Sequence, residues 1–184
     1  MTRCLALLAA LAVAGGAAAE KADQSKPTQI EANKMSADDA RRLTIFDGNV
    51  VLTRGTMRLT ADRVVMRQDA EGFQFATATG KPARFRQRQD PKPPETEGSW
   101  MEGEALRMEM DDRSGKIELY DNAHVKRGGD EVTGNYILVD QRSDFFSVGP
   151  GKDGKDTAPS GRVKAVIQPK PRPPEPQATP GAAK

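Results

Sequence analysis

Gly48-Asn49-Val50-Val51-Leu52-Thr53-Arg54-Gly55, running on through Leu59-Thr60-Ala61-Asp62, recurs without a gap as Asp121-Asn122-Ala123-His124-Val125-Lys126-Arg127-Gly128, running on through Val132-Thr133-Gly134-Asn135. Each copy reads as a β-strand, a tight turn at Arg54-Gly55 or Arg127-Gly128, and a second strand, because apolar and polar residues alternate on both sides of the glycine. Acidic pairs precede both copies at the same distance, Asp38-Asp39 and Asp111-Asp112. Such self-similarity marks stacked supersecondary units that share one core. The first expectation is therefore a stacked all-β body.

Period-two alternation continues outward from the repeat. Met57/Leu59/Ala61, Phe73/Phe75, Ala83/Phe85, Met108/Met110, Ile117/Leu119 and Val163/Ala165/Ile167 follow it, and no stretch carries a helical stripe. Hairpin punctuation is expected at Asp47-Gly48, Arg54-Gly55, Glu71-Gly72, Gly80-Lys81-Pro82, Ser114-Gly115 and Gly128-Gly129-Asp130. The pattern is a meander of short antiparallel strands, interrupted by surface loops over 89–99 and 149–161. Residues 37–42 are too short for an independent helix and read as a turn.

The ends differ from this body. Residues 1–19 have the form of a cleavable secretory signal: Arg3, an apolar run from Leu5 to Val13, and Ala17-Ala18-Ala19 before Glu20. The apolar run stops at Gly15-Gly16, short of the roughly 20 residues a spanning helix needs. Cys4, the one cysteine, leaves with the signal, so no disulfide is expected in the exported protein. Residues 169–184 alternate proline with polar and small residues and read as a disordered tail. Residues 20–168 remain, a length that suits one domain. Charges are interspersed and the net charge is only +2, which argues against a nucleic-acid partner.

Catalytic chemistry is not apparent. His124, the one histidine, falls on the strand face opposite Val125 and reads as a partly covered surface residue. Without a second histidine or a retained thiol, no metal site is expected, and no cofactor is implied. The acidic residues sit mostly at turns, where aspartate has conformational reasons to be. Gly149-Pro150-Gly151-Lys152-Asp153-Gly154-Lys155-Asp156 has the spacing of a phosphate loop, but Asp156 replaces the metal-binding hydroxyl and no helix follows. Aromatics are few, six Phe, two Tyr and one Trp. Many apolar positions are Ala or Met, consistent with a thin core or with an inward face that meets a ligand.

Four segments carry a resemblance: Pro27 to Met35, Phe46 to Gly55, Leu59 to Val65, and Gly80-Lys81-Pro82-Ala83-Arg84-Phe85. In this order they resemble the LptA family of lipopolysaccharide transport periplasmic proteins, built on the OstA-like domain. The resemblance spans nearly all of residues 26–168. It implies a twisted, partly open antiparallel β-jelly roll, two sheets in a V around an apolar groove. It also implies a non-enzymatic function, a periplasmic bridge carrying lipopolysaccharide from the inner-membrane transporter to the outer-membrane translocon. The implied partners are the lipid A acyl chains and the OstA-like domains of LptC-like and LptD-like proteins. Residues on the apolar side of their strands, Ile30, Phe46, Val50, Leu52, Leu59, Phe85, Met108, Leu119, Val125 and Val132, are then the candidate lipid contacts. Thr28 stands where family members often have a bulkier apolar residue, and Asp121-Asn122 replaces the Gly48-Asn49 of the first copy. The open end strands, around 29–34 and 162–168, imply head-to-tail self-association. Two other readings compete: a membrane-anchored LptC-like component, which needs an uncleaved N-terminal helix, and a periplasmic carbohydrate-binding or hydrolytic sandwich, which needs aromatic platforms or an acid pair.

Overall fold

A computed structural model describes residues 22–72, 74–91, 97–143, 145–149 and 162–169. The signal, most of the 149–161 loop with its phosphate-loop spacing, and nearly all of the proline-rich tail lie outside these residues. The strands are β1 (Gln29–Glu31), β2 (Lys34–Asp38), β3 (Leu43–Arg54), β4 (Met57–Gln68), β5 (Gln74–Arg88), β6 (Trp100–Asp111), β7 (Lys116–Arg127), β8 (Asp130–Asp140), β9 (Phe145–Gly149) and β10 (Lys164–Val166). They form one antiparallel sheet in the order β1-β3-β4-β5-β6-β7-β8-β10, with β2 also on β3 and β9 also on β8. The sheet does not close, so the β1/β2 side and the β9/β10 side are its two edges. Among the described residues the helical ones are Ala22 and Asp23.

The sequence repeat is a structural repeat. The β3–β4 and β7–β8 hairpins are its two copies, with Gly55 and Gly128 at the same turn position and the same φ of 59°. Glycine at the first central position is what a two-residue hairpin of the II′ kind needs. Short β1 and β2 lie beside β3 where unbroken β6 lies beside β7. In the same way β9 and β10 lie beside β8 where β5 lies beside β4. The halves thus share a plan, and each edge is a broken version of a central strand.

Two of the expected hairpin points are something else. Asp47-Gly48 and Gly80-Lys81-Pro82 lie inside β3 and β5. The pairing register slips between Asp47 and Val50, Thr60 and Arg63, Thr79 and Ala83, Glu104 and Arg107, and Tyr120 and Ala123. These slips fall on consecutive strands and form a column of bulges across the sheet. Gly48 (φ 79°), Asn49 (47°), Asp121 (62°) and Asn122 (53°) hold the left-handed conformation there. Asn and Asp tolerate that region better than other side chains, so Asp121-Asn122 performs in the second copy what Gly48-Asn49 performs in the first. Bulges bend a strand and increase its twist, and a column of them creases the sheet.

The crease folds the sheet onto itself as two leaves. One, the Gly leaf, ends at the Gly55-Thr56 and Gly128-Gly129 turns. The other, the Asp leaf, ends at turns opened by Asp38, Asp69, Asp111 and Asp140. Each of these aspartates accepts a local backbone N–H, from Arg41, Glu71, Arg113 and Arg142 at 3.1, 3.0, 2.9 and 2.9 Å, the Asx geometry that makes aspartate a turn former. One core joins the inner faces: Val50, Leu59, Phe85 and Val125 from the Gly leaf, Val64, Met108, Leu119 and Ile137 from the Asp leaf.

The crease also resets side-chain parity. On β5 the buried residues are Ala76 and Ala78 before it, and Ala83 and Phe85 after it. Phe75, grouped by alternation with Phe73, therefore points outward at 36% exposure. Phe73 lies outside the described residues. Val163, Ala165 and Ile167 alternate in sequence but are all exposed at the open edge.

Candidate functional site

The leaves meet without pairing along the β1 side, and a seam of hollows runs there. A wide opening of about 510 Å3 is bordered by Lys26, Thr28, Arg54, Met57, Met110 and Ile117. A neck of about 20 Å3 lies between Leu52, Met57, Met66, Ala76 and Met110. Beyond it is a second hollow of about 380 Å3 bordered by Ile30, Met35, Leu43, Phe46 and Met66. Thr28 and Gln74 border all three, which makes the seam continuous. Its floor is apolar and rich in methionine, an unbranched side chain that adapts to irregular contacts. Its rim carries Arg42, Arg67, Lys116 and Arg142, interspersed with Asp39, Asp111 and Asp112.

Cross-strand partners share a face, so the pairings place the ten candidate lipid contacts. Ile30 opposes Leu52, Phe46 opposes Val64, Leu59 opposes Phe85, Met108 opposes Leu119, and Val125 opposes Val132. All ten lie on the inward face, but not together. Ile30, Phe46 and Leu52 border the seam. Val50, Leu59, Phe85, Met108, Leu119 and Val125 are buried in the core at 3% exposure or less. Val132 is half-buried near the opposite edge, across from Ala165 of β10. Periodicity missed Met57, Met66, Met110 and Ile117 as seam residues. It marks them as inward but carries no information on where two unpaired edges meet. Thr28, where family members often have a bulkier apolar residue, borders all three hollows of the seam.

Two polar ties span the seam. Arg54, the last residue of β3, donates to both carboxylate oxygens of Asp112 at 3.0 and 3.1 Å. The second tie runs through Asp23, Gln87 and Gln141. Strand ends far apart along the sheet touch only because the crease brings the leaves face to face.

The outer faces carry ladders of charge. Arg84 pairs with Glu104 at 3.0 Å, and His124 Nε2 lies 2.6 Å from Glu131. Glu109 and Glu118 are cross-strand neighbours and the side-by-side acids that a hydrolytic reading would need. Glu118 accepts the hydroxyls of Tyr120 and Tyr136 at 2.6 and 2.8 Å, and Glu109 pairs with Arg107, whose guanidinium lies over the Tyr120 ring. Burial, followed by these bonds to Glu118, pushes both tyrosine phenols up from their ordinary range. The acids are occupied as a structural network away from the seam. Among the described residues no group of three His, Cys, Asp or Glu side chains could hold a metal ion.

The profile of the family described as "LptA/(LptD N-terminal domain) LPS transport protein" matches residues 29–145. The chain belongs to this family. It is 28% identical over 149 residues to the lipopolysaccharide export system protein LptH of Pseudomonas aeruginosa, covering 80% of this chain and 82% of the relative. It is 31% identical over 132 residues to LptA of Escherichia coli K12, covering 68% and 67%. The crystal structure of LptH, titled the LptA-homologous periplasmic component of the conserved lipopolysaccharide transport device, superimposes with a TM-score of 0.71 over 80% of this chain and 99% of that one. The creased, open sheet is therefore the family's jelly roll, and the protein has a role in lipopolysaccharide transport.

Proposed function

We propose that this protein is exported to the periplasm, holds lipopolysaccharide by its acyl chains between the two leaves, and acts without chemistry as one segment of a bridge between the membranes. The observation that carries this reading is the seam: a methionine-lined floor continuous with the core, under a rim of mixed charge that carries several cations. Each buried methylene contributes about 0.8 kcal/mol, so several acyl chains are held without directional contacts. The rim places Lys26, Arg42, Arg67, Lys116 and Arg142 where a phosphorylated headgroup would emerge. Bridging follows from the edges. β1 and β10 each pair on one side only, and unequal edges that pair with one another propagate head to tail instead of closing into a dimer. The same edges suit the related domains of LptC-like and LptD-like partners. The test is site-specific photo-crosslinking during lipopolysaccharide export. A photoreactive residue at Leu52 or Phe85, on the inward face, should capture lipopolysaccharide. One at Thr53 or Arg58, outward and opposite each other, should not, and equal capture at all four would overturn the reading.

A further inference from the structure

Asp23 is a carboxylate at 2% exposure, carried on the helical turn that precedes β1. A buried carboxylate is retained only where hydrogen bonds replace its water. It accepts from the Thr56 amide at 2.7 Å, the Thr56 hydroxyl at 2.6 Å and Gln87 Nε2 at 3.0 Å. The site is built for it: a Cβ on Gly55 would lie 2.0 Å from Asp23 Oδ1. All three bonds run toward Asp23, so the Gln87 NH2 turns to it and Gln87 Oε1 is left facing the other leaf. There Gln141 Nε2 donates to it at 2.6 Å. Gln141 borders the wide opening of the seam and is anchored to the Asp leaf by its own amide, which donates to Gly115 O at 2.9 Å.

From this chain of bonds we infer that Asp23 is an N-terminal latch, which orients Gln87 to hold the two leaves together at the wide end of the seam and must release before the leaves part. An acyl chain that reaches the interior needs such an opening, since Leu59, Met108, Leu119 and Ile137 are fully buried and the neck is only about 20 Å3. Asp23 is a positioning residue and need not touch the ligand. The inference rests on the lipid-binding reading only for what enters the groove, and the latch is testable without lipid.

The experiment uses the full chain in a Cys4→Ser background, with spin labels at Ala70→Cys and Lys126→Cys, exposed positions at the outer ends of the Asp leaf and the Gly leaf. Asp23→Ala and, separately, Gln141→Ala should both lengthen and broaden the label-to-label distance distribution. Each should also speed capture of purified lipopolysaccharide by a photoreactive residue at Leu52 by roughly threefold to tenfold, the scale of one lost hydrogen bond. Gln141→Ala leaves the N-terminal turn intact, so it separates unlatching from misfolding of that turn. An unchanged distance distribution in Gln141→Ala overturns the latch whatever lipid does. A widened distribution with no capture by any variant upholds the latch and overturns the lipid-binding reading instead.

Discussion

Gly103 on β6 lies opposite Phe85 on β5, and a Cβ built on it would lie 2.2 Å from Phe85 Cε1. Gly103 is not among the residues at positive φ, so the backbone itself accepts any side chain and the penalty of Gly103→Ala is overpacking alone. Phe85 is 3% exposed in the core, where it opposes Leu59 on β4 and Gly103 on β6, so its ring must shift to admit a methyl. The expected cost is about 1–3 kcal/mol, the range for a methyl forced into a packed core. Phe85→Ala alone should cost about 3–5 kcal/mol through the cavity it leaves. In the double variant the new methyl enters that cavity, so the combined loss should fall short of the sum by about 1–2 kcal/mol. Urea unfolding of the four proteins, read from midpoints at constant m, measures all three quantities. A neutral Gly103→Ala, or strict additivity in the double variant, would refute the contact and the inward placement of the Phe85 ring.

Arg54→Ala removes the partly buried tie to Asp112 and should cost about 1–2 kcal/mol, between the values for exposed and buried pairs. A loss under about 0.3 kcal/mol in urea unfolding would show that the leaves meet without it. Burial acts to raise the Asp111 carboxyl, but the Ser114 hydroxyl and the amides of Arg113 and Ser114 outweigh it and hold the group below its ordinary value. A depressed folded-state value contributes stability above the unfolded value near about pH 4, and that contribution is lost as pH falls through the folded one. Asp111→Asn should therefore be less stable than the wild type near about pH 7 and converge with it as pH falls below the unfolded value near about 4; a gap that is constant with pH would contradict this. Proline at Val163 and Ala165 removes donors from the open β10 edge. Concentration-dependent sedimentation should be lost in that variant and kept in the wild type, and a wild type that stays monomeric at high concentration would sink the edge-pairing mechanism.

Local features were legible in the order of amino acids alone. The Gly55 and Gly128 turns, the matching hairpins around them and the inward set from Val50 to Val125 were readable because each rests on neighbours two to four residues away. The family was readable for the same reason, as its motifs are contiguous. Asp47-Gly48 and Gly80-Lys81-Pro82 carry the signal of a turn, but glycine serves a bulge inside a strand as readily, with Gly48 at positive φ and Gly80 not. Because a bulge resets parity, Phe75 points out while Phe85 on the same strand points in. That the bulges line up across neighbouring strands emerges only from the pairing register, which no single strand encodes. From it follow the two leaves, the seam with Met57, Met66 and Met110, and the meeting of Asp23 with Gln87 and of Gln87 with Gln141. Those side chains are far apart in sequence, and no local period records a contact that exists only once the sheet has folded over.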